Sequence, residues 1–294
     1  MTTHRLGGSI RRGLLTAPVL MSVALVILAP ATGAASMPTG YDISYPQCST
    51  RASSYPQQRA FGVVGVNGGT AATANPCLGP SNGYASELSW AASSPGLPNQ
   101  ARASFYLNTA DPGPVVASWP AAGSGPRSCD HTWSTGCAYD YGYAKATYSF
   151  GLARSAANAD AARRLPTTTP SADPWWIDVE TTNTWATPAN TPSWASVNIA
   201  ALQGFVGGLT AAGVALPLVG FYSNGFQWAQ ITGLTPATSP TYFSTREPNW
   251  IPGATSLSQA QTNCLAGHSF TGGPVTLTQY RASSFDGDYR CPST

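Results

Sequence analysis

Three features of this 294-residue sequence predict an α/β fold. Short apolar segments that suit strands alternate with helix-patterned segments, which is typical of proteins built on a parallel sheet. Several of the strand candidates are continuously hydrophobic, as expected where both faces of a sheet are covered. The chain length and about eight strand candidates fit a (β/α)8-type, TIM-like barrel of one domain, braced by disulfides, better than an open sheet.

Residues 1–36 are predicted to be a secretory signal peptide. Arg5, Arg11 and Arg12 precede the apolar run LLTAPVLMSVALVILAP, which leads into the small residues ATGAAS. This order is typical of export signals, so the barrel domain is expected at 37–294 and the mature protein outside the cell or at the cell wall. Two alternatives stay open: an uncleaved membrane anchor, and twin-arginine export, whose signal SIRRGLL loosely resembles.

The elements of the barrel are predicted in order from their apolar patterns. Apolar or small residues at steps of three and four predict a helix over 139–165. A second helix is expected to open at Thr191-Pro192 and to end at Gly213, and GFQWAQI is expected to form a short one. The strand candidates are YDIS (41–44), FGVVGVN (61–67), ASFYLN (103–108), WWIDVE (175–180), LPLVGFYS (216–223), NWI (249–251) and VTLTQY (275–280).

Charge and composition exclude several classes of function. Without the three N-terminal arginines the 14 Lys and Arg fall to 11, against 12 Asp and Glu, and Lys145 is the only lysine. Nucleic acid is not expected as a partner, because phosphate binding needs clustered cations. Only His131 and His268 remain, so a His-dependent triad is not expected either. GVVGVNG lacks the glycine spacing of a dinucleotide site, and no cofactor is expected.

The six cysteines all follow the N-terminal segment, and an even number in an exported chain predicts three disulfides. Six cysteines allow many pairings. Proximity in sequence favours the pairs Cys48–Cys77, Cys129–Cys137 and Cys264–Cys291. A zinc site at CDHTWSTGC is disfavoured, because one His between two Cys is not a four-ligand spacing, so no metal is expected.

Asp178 and Glu180 are the strongest candidates for catalysis. Residues i and i+2 of a strand face the same side, about 6.6 Å apart (two rises of ~3.3 Å), and these two lie at the carboxyl end of their strand, where barrel enzymes act. Two close carboxyls in a partly dry cleft do not both ionise easily. Glycosidic cleavage needs one carboxyl to donate a proton and another to stabilise positive charge. The alternative is a salt-bridged pair, with Arg163 or Arg164 as the partner.

Asp42 and Asp286 are expected to point into the same bowl. Asp42 ends the first strand and Asp286 lies just after the last clear strand, and these strands are neighbours in a closed barrel. Asp288 competes with Asp286 for the role. For Asp42 and Asp286 the alternative is a turn or capping function, in which Asp is common.

Four ordered segments resemble the glycoside hydrolase family 25 lysozymes: GYDIS, WWIDVE, GFYSN, and VTLTQY followed by FDGDY, over about 41–291. Related secreted actinobacterial barrels that resemble glycoside hydrolases are similar to the same degree. The lysozymes are (β/α)-barrel muramidases that cleave between N-acetylmuramic acid and N-acetylglucosamine. The resemblance implies a secreted β-1,4-glycosidase acting on peptidoglycan, with a polysaccharide as its partner. We expect a monomer with no stable membrane partner unless the signal stays uncleaved.

The resemblance also implies roles for individual residues. Glu180 resembles the general acid, and Asp178 the carboxylate that orients or stabilises the reacting centre, directly or through the sugar's 2-acetamido group. Asp42 and Asp286 match the N-terminal and C-terminal aspartates of the family. Tyr222 matches the aromatic of the family's fifth strand, and the pair Gln279-Tyr280 matches the Q-Y at its eighth. Rings suited to a sugar face make Trp185 and Trp250 further groove candidates, whereas Trp175 is expected in the core. The full set of expected substrate-binding residues is Tyr222, Trp250, Gln279, Tyr280 and Trp185.

Three departures from the family pattern leave the substrate open. The second strand is followed by VNGG, the third ends in FYLN, and the sixth reads NWIPG. These changes leave the candidate catalytic acids in place and alter the residues expected to line the substrate groove. Two alternatives therefore stay open: a non-catalytic barrel that binds wall glycan or a protein partner, and a hydrolase of a different polysaccharide.

Overall fold

The structure, a computed structural model, describes residues 38–68, 71, 73–81, 83–113 and 119–292, so the predicted signal peptide lies outside the described residues. Eight strands close into one barrel in chain order, with helices between them, which confirms the predicted α/β barrel. The strands are β1 (Thr39–Ile43), β2 (Gly62–Gly65), β3 (Ala103–Leu107), β4 (Trp175–Asp178), β5 (Val219–Tyr222), β6 (Asn249–Ala254), β7 (Val275–Ala282) and β8 (Phe285–Arg290). The helices are α1 (Glu87–Ala92), α2 (Thr135–Ala162), α3 (Trp194–Ala211), α4 (Gly225–Thr232) and α5 (Leu257–Asn263). Across the described ranges, no helix combines the length and apolarity needed to cross a membrane.

The closing strand differs from the sequence-based expectation. Strands β1 to β7 run parallel, but β8 is antiparallel to both β7 and β1, and a tight turn at Ser283 and Ser284 joins it to β7. FDGDY was expected to follow the last strand, and it forms that strand instead. Asp and Gly disfavour strands by propensity. Here pairing on both sides of β8 outweighs that preference.

Side chains alternate between two cores. An outer layer between strands and helices contains Phe105, Trp175 and Phe221, so Trp175 is a core residue as predicted. An inner cluster fills the barrel with alternate residues of the same strands, among them Tyr106, Trp176, Tyr222, Trp250 and Leu277. This period-2 alternation fixes which face of each strand points into the barrel.

Helices α2 and α3 pack at backbone contact through glycines. A Cβ on Gly142 would lie 2.1 Å from the Ala201 carbonyl oxygen, and one on Gly204 would lie 2.0 Å from the Tyr139 carbonyl oxygen. These glycines, which lie outside the apolar stripe predicted for the first helix, therefore let the two helices approach closely.

The ends of α3 follow the sequence in one case and not in the other. The helix begins at Trp194, after Ser193, so Thr191-Pro192 precede it in a turn instead of opening it. Gly213, with φ of +100°, follows the last turn as predicted. The Gly213 and Val214 N–H groups donate to the carbonyls of Thr210 and Leu209, the Schellman pattern that a residue of this conformation allows.

The cysteines pair as proximity in sequence predicts. Disulfides join Cys48 to Cys77, Cys129 to Cys137, and Cys264 to Cys291. The first holds the segment after β1, where the Glu87 carboxylate also accepts the Gln47 and Cys48 N–H groups at 2.8 and 3.2 Å. Disulfides of this kind are typical of proteins that mature in an oxidising compartment.

Candidate active site at the carboxyl end of the barrel

Asp178 ends β4, and Glu180 lies two residues beyond the strand, close enough for the two carboxyls to act on each other. Asp178 follows the interior Trp176 by two residues, whereas Val179 packs in the outer core. The backbone here is fixed to both neighbouring strands: the Val179 N–H donates to the Tyr222 carbonyl at 2.9 Å, and the Thr109 hydroxyl donates to the Asp178 carbonyl. The pair therefore lies at a rigid strand end that faces the barrel mouth.

Asp178 is a buried carboxyl with an incomplete set of donors. It is 1% exposed, and the Asn183 amide donates to its Oδ2 at 2.8 Å. Its Oδ1 has no hydrogen-bond partner among the described residues. Burial, and then the Glu180 charge, raise the pKa of Asp178 to about 8 against the opposing effect of Asn183 and Tyr106. The pair thus retains a proton near neutral pH.

Glu180 is the partly exposed member of the pair. Burial raises the pKa of its carboxyl, and the Gln227 amide acts in the opposite direction. Gln227 is held in place from two sides. Its N–H donates to the side chain of Asn224, the residue that caps α4, and its Oε1 accepts the Thr181 N–H at 2.7 Å.

The salt-bridge alternative for this pair has no support in the geometry. Across the described ranges, neither carboxyl of the pair has an ion-pair partner. Of the two expected arginines, Arg163 instead acts on Asp160, whose pKa burial raises to about 6 against the opposing effects of Ser86 and Arg163. Both arginines are exposed near the end of α2.

A hydrogen-bonded chain connects Asp42 to the opposite side of the mouth. The Tyr222 hydroxyl donates to Gln279 Oε1 at 2.8 Å, and Gln279 Nε2 donates to Asp42 Oδ2 at 2.9 Å. Burial raises the pKa of Asp42 to about 7, with the Asp286 charge adding to the effect and Gln279 opposing it. Tyr222 and Gln279, both predicted to bind substrate, therefore hold an acid in place.

Several acids act electrostatically on the Tyr222 hydroxyl. Burial raises the pKa of its hydroxyl well above 10, and four carboxyls add to the effect, namely Glu180, Asp42, Asp178 and Asp288. These four come from β1, β8 and the end of β4, which lie on different sides of the barrel. Of the acids predicted to converge, Asp42, Asp178 and Glu180 act on the Tyr222 hydroxyl, whereas Asp286 is not among the acids that do.

The two candidate aspartates of β8 occupy different levels. Asp286 lies opposite Asp42 in the strand register and is exposed at the rim, where Arg281 opposes the increase in pKa that partial burial causes. Asp288 is 0% exposed and neither of its oxygens has a partner within the described ranges. Burial, followed by the charges of Asp42 and Asp286, raises its pKa well above the ordinary range. Asp286 is therefore the accessible aspartate of β8, whereas Asp288 is buried inside the barrel.

An aromatic floor lies under these acids. Trp250 is 0% exposed, with its ring centroid 4.6 Å from that of Tyr222 and 5.7 Å from that of Trp176. Tyr106 completes the cluster at 5.5 Å from Tyr222. Trp250 was expected in an open groove, and its position is in the interior below the carboxyls.

The remaining two predicted binding residues lie beside the mouth. Trp185 is 6% exposed, and its indole N–H donates to the Glu180 carbonyl at 2.9 Å. Tyr280 follows Gln279, so strand alternation places it on the opposite face of β7. There its ring lies against Gly287, where a Cβ would approach it to 2.5 Å. This position does not support the predicted contact of Tyr280 with substrate.

Sequence reasoning missed several residues of the site. Tyr106, Asn183 and Gln227 affect the pair directly. Tyr106 lies on the inner side of β3 and Asn183 in the loop after β4, which was the available signal for both, whereas Gln227 lies within α4, where no sequence pattern indicated it. Two exposed rings at the rim were also missed: Tyr45, which is 62% exposed after β1, and Phe226, which is 70% exposed after β5. Exposed aromatics directly after barrel strands were the available signal for these two.

Two cavities open at this end of the barrel. A small one of about 110 Å³ has Asp42, Tyr45 and Asp286 in its wall. A larger one of about 470 Å³ lies beside the loop after β4 and includes Asn183 and Trp185. Within the described ranges, no three His, Cys, Asp or Glu side chains are grouped as ligands for one metal ion.

Comparisons with known proteins leave the family open. No family model and no curated protein matches the chain. Among solved structures it is similar to the modular Cpl-1 endolysin, crystallised with a peptidoglycan analogue, at 12% identity and a TM-score of 0.44 over 87% of this chain. The chain spans 54% of the length of that endolysin chain. At this level of similarity the endolysin determines neither the activity nor the substrate here.

Proposed function

We propose that this chain is a secreted glycoside hydrolase that cleaves β-1,4 linkages of peptidoglycan, as an N-acetylmuramidase does. The observation that carries the proposal is the set of carboxyls around the Tyr222 hydroxyl, in which Asp178 and Glu180 retain a proton near neutral pH. Perturbed acids grouped in a barrel mouth are typical of catalytic sites. The three disulfides suit a secreted protein that acts at or outside the cell wall.

Glu180 is the proton donor in this proposal. It is the member of the pair with exposed surface, so a bound sugar can reach it, and its raised pKa favours the protonated form. The carboxylic acid gives its proton to the glycosidic oxygen while the bond from that oxygen to the anomeric carbon breaks. A water molecule then adds to the anomeric carbon, and a proton returns to the pair.

Asp178 stabilises the positive charge that develops at the anomeric carbon. A carboxylate there acts directly or through the 2-acetamido group of the sugar. Its fixed position, held by the Asn183 amide, limits reorganisation during the reaction, which makes such electrostatic stabilisation effective. Asp42 and Asp286, on the other side of the mouth, add negative potential that favours a proton on Glu180 and a cationic transition state.

The substrate assignment is supported by the shape and chemistry of the rim. Tyr45 and Phe226 expose ring faces on either side of the acids, and such faces suit the apolar side of a pyranose. Arg281 lies near Asp286 at the rim, where it opposes the increase in the pKa of that carboxyl.

The decisive test is to add the purified mature chain to a peptidoglycan suspension and count new reducing ends. Glu180→Gln is expected to abolish release and to leave the thermal melt nearly unchanged, because Glu180 has no ion pair to lose. Glu247→Gln is the matched control, since Glu247 is a buried glutamate at the other end of the barrel, just before β6, with a pKa raised to about 8. Equal release by wild type and Glu180→Gln would refute the assignment.

A non-catalytic glycan-binding barrel is the second candidate, and one observation favours it. Asp42, Asp178 and Asp288 are at most 3% exposed, so most of the acids are out of direct reach of a ligand. In that case neither wild type nor Glu180→Gln would release sugar, while both would sediment with the wall. If the chain released reducing ends only from a different polysaccharide, the proposed glycosidase chemistry would stand and that polysaccharide would replace peptidoglycan as the substrate.

A further inference from the structure

We propose that a second surface, on the outside of the barrel, binds the distal part of the same glycan strand. This surface, called the outer groove, lies between α2, α3 and the end of α4, and encloses about 740 Å³. The inference rests on the proposed function for the identity of its ligand. The residues that define the outer groove are Arg127, Tyr139, Trp194, Gln203, Thr232 and Tyr242.

The outer groove is continuous with the candidate active site through one side chain. Trp194 lines both the outer groove and the 470 Å³ cavity beside the loop after β4. That cavity also includes Asn183, which donates to Asp178, and Trp185, which donates to the Glu180 carbonyl. A strand that leaves the carboxyl pair over Trp185 therefore reaches the outer groove by passing Trp194.

The chemistry of the outer groove suits a polysaccharide. Three aromatic residues, Tyr139, Trp194 and Tyr242, provide ring surface, and Tyr242 is 47% exposed. Polar groups lie between them: Gln203 Nε2 donates to the Tyr242 carbonyl at 3.1 Å, which leaves its Oε1 for a ligand hydroxyl. This mixture of apolar faces and a few placed polar groups is typical of ligand sites.

The charge of the outer groove limits the class of ligand that it can bind. Arg127 is the one charged residue in its lining, and its guanidinium carbon lies 4.6 Å from the centre of the Tyr139 ring. A neutral sugar chain with an occasional carboxylate is compatible with one arginine on an aromatic face. A polyanion would need several cations here, so the proposal is a glycan strand and not a nucleic acid.

The test separates binding from cleavage. In the Glu180→Gln background, sedimentation with isolated peptidoglycan is measured for Tyr242→Ala and Trp194→Ala, each checked by thermal melt. We expect binding about tenfold weaker, the order seen when a well-packed aromatic is removed from an interface. Tyr148→Ala is the matched control, since Tyr148 is 50% exposed and lies on α2 outside the outer groove, and it is expected to bind like the parent.

Cleavage in the wild-type background gives an independent result. Tyr242→Ala is expected to cleave a soluble tetrasaccharide at the wild-type rate and to show a KM about tenfold higher on long glycan strands, with kcat unchanged. Unaltered sedimentation and unaltered KM for the outer-groove variants would overturn the inference while the proposed hydrolase stands. Sedimentation that weakens in a chain that cleaves nothing would support the outer groove and refute the hydrolase.

Discussion

Replacing Asp42 by Asn should stabilise the protein in a strongly pH-dependent way. Asp42 is 3% exposed at the floor of the mouth and accepts a hydrogen bond from Gln279 Nε2 at 2.9 Å, and Ser44 also acts on it as a donor. An asparagine has the same volume, and its oxygen can accept that bond, but it cannot ionise. The substitution therefore removes a titration from the folded protein with little change in packing.

The magnitude follows from the pKa of Asp42, which rises from the ordinary 3.8 to about 7 in the folded protein. Between these values the folded state binds the proton and the unfolded chain does not, so the free energy of unfolding falls as the pH rises through this window. The favourable contribution is fully present below pH 3.8 and is lost above about pH 7. A tenfold change in proton affinity is worth about 1.4 kcal/mol, so the loss is roughly 4 kcal/mol at pH 8 and roughly 1 kcal/mol at pH 4.5.

The assay is urea unfolding of wild type and Asp42→Asn at pH 4.5, 6 and 8, with equal m-values required for a valid comparison. The stability advantage of Asp42→Asn is expected to grow by about 3 kcal/mol between pH 4.5 and pH 8. Asp130→Asn is the control, because Asp130 is exposed and its pKa is lowered by Thr132, so no change is expected in this range. A constant difference between wild type and Asp42→Asn at all three values of pH would refute the reasoning.

Two further predictions test the site and the scaffold. Asn183→Ala leaves Asp178 Oδ2 without its donor, so we expect a loss of about 1–3 kcal/mol in the free energy of unfolding. It should also raise the pKa of Asp178, which must be a carboxylate in the proposed mechanism, and so move the acidic limb of the pH–rate profile on peptidoglycan to higher pH; an unmoved limb would contradict the assigned role. Gly204→Ala places a methyl group 2.0 Å from the Tyr139 carbonyl oxygen and should destabilise by at least about 1–3 kcal/mol. Gly151→Ala, also in a helix but with nothing within 4 Å, should stabilise by up to about 1 kcal/mol in thermal melts.

The fold was predictable where local pattern and tertiary packing agree. The buried strands β2, β3, β4 and β5 are continuous apolar runs, and each lies within its predicted segment. The strand β8 was not predicted, because its Asp-Gly-Asp core is a poor strand by propensity and forms only through pairing on both sides. Helices α1 and α5 were missed because 6 and 7 residues are too few to show a helical period.

The sequence predicted which way the site residues point, but not how deeply each of them is buried. Alternation along β4 correctly indicated that Val179 packs outward, opposite to the interior Trp176, and it predicts that Asp178 and Glu180 share the other side. It could not indicate that Trp250 is fully buried, because the exposure of an inward residue depends on its height in the barrel. It also could not indicate the link from Tyr222 through Gln279 to Asp42, which spans 237 residues of sequence between its last two members.

The hydrogen bonding of the buried acids distinguishes scaffold from site. The Glu87 carboxylate accepts two backbone N–H groups and the Asn75 amide, and the Asp140 carboxylate accepts the N–H groups of Arg127 and Cys129, so both oxygens of each acid are satisfied. Such acids stabilise loops.

The acids of the barrel mouth are arranged differently. Asp178 has one oxygen without a donor and Asp288 has two, within the described ranges, and each has another carboxyl as its main electrostatic neighbour. Asp111, Asp160 and Glu247 also have one unpartnered oxygen, but no second acid acts on any of them. A scaffold gains nothing from neighbouring carboxyls that must retain a proton to avoid like charges, since an Asn or a salt bridge would cost less stability. The cost is understandable if the retained proton and the remaining charge are used in a reaction, which is why these acids favour a catalytic role over a structural one.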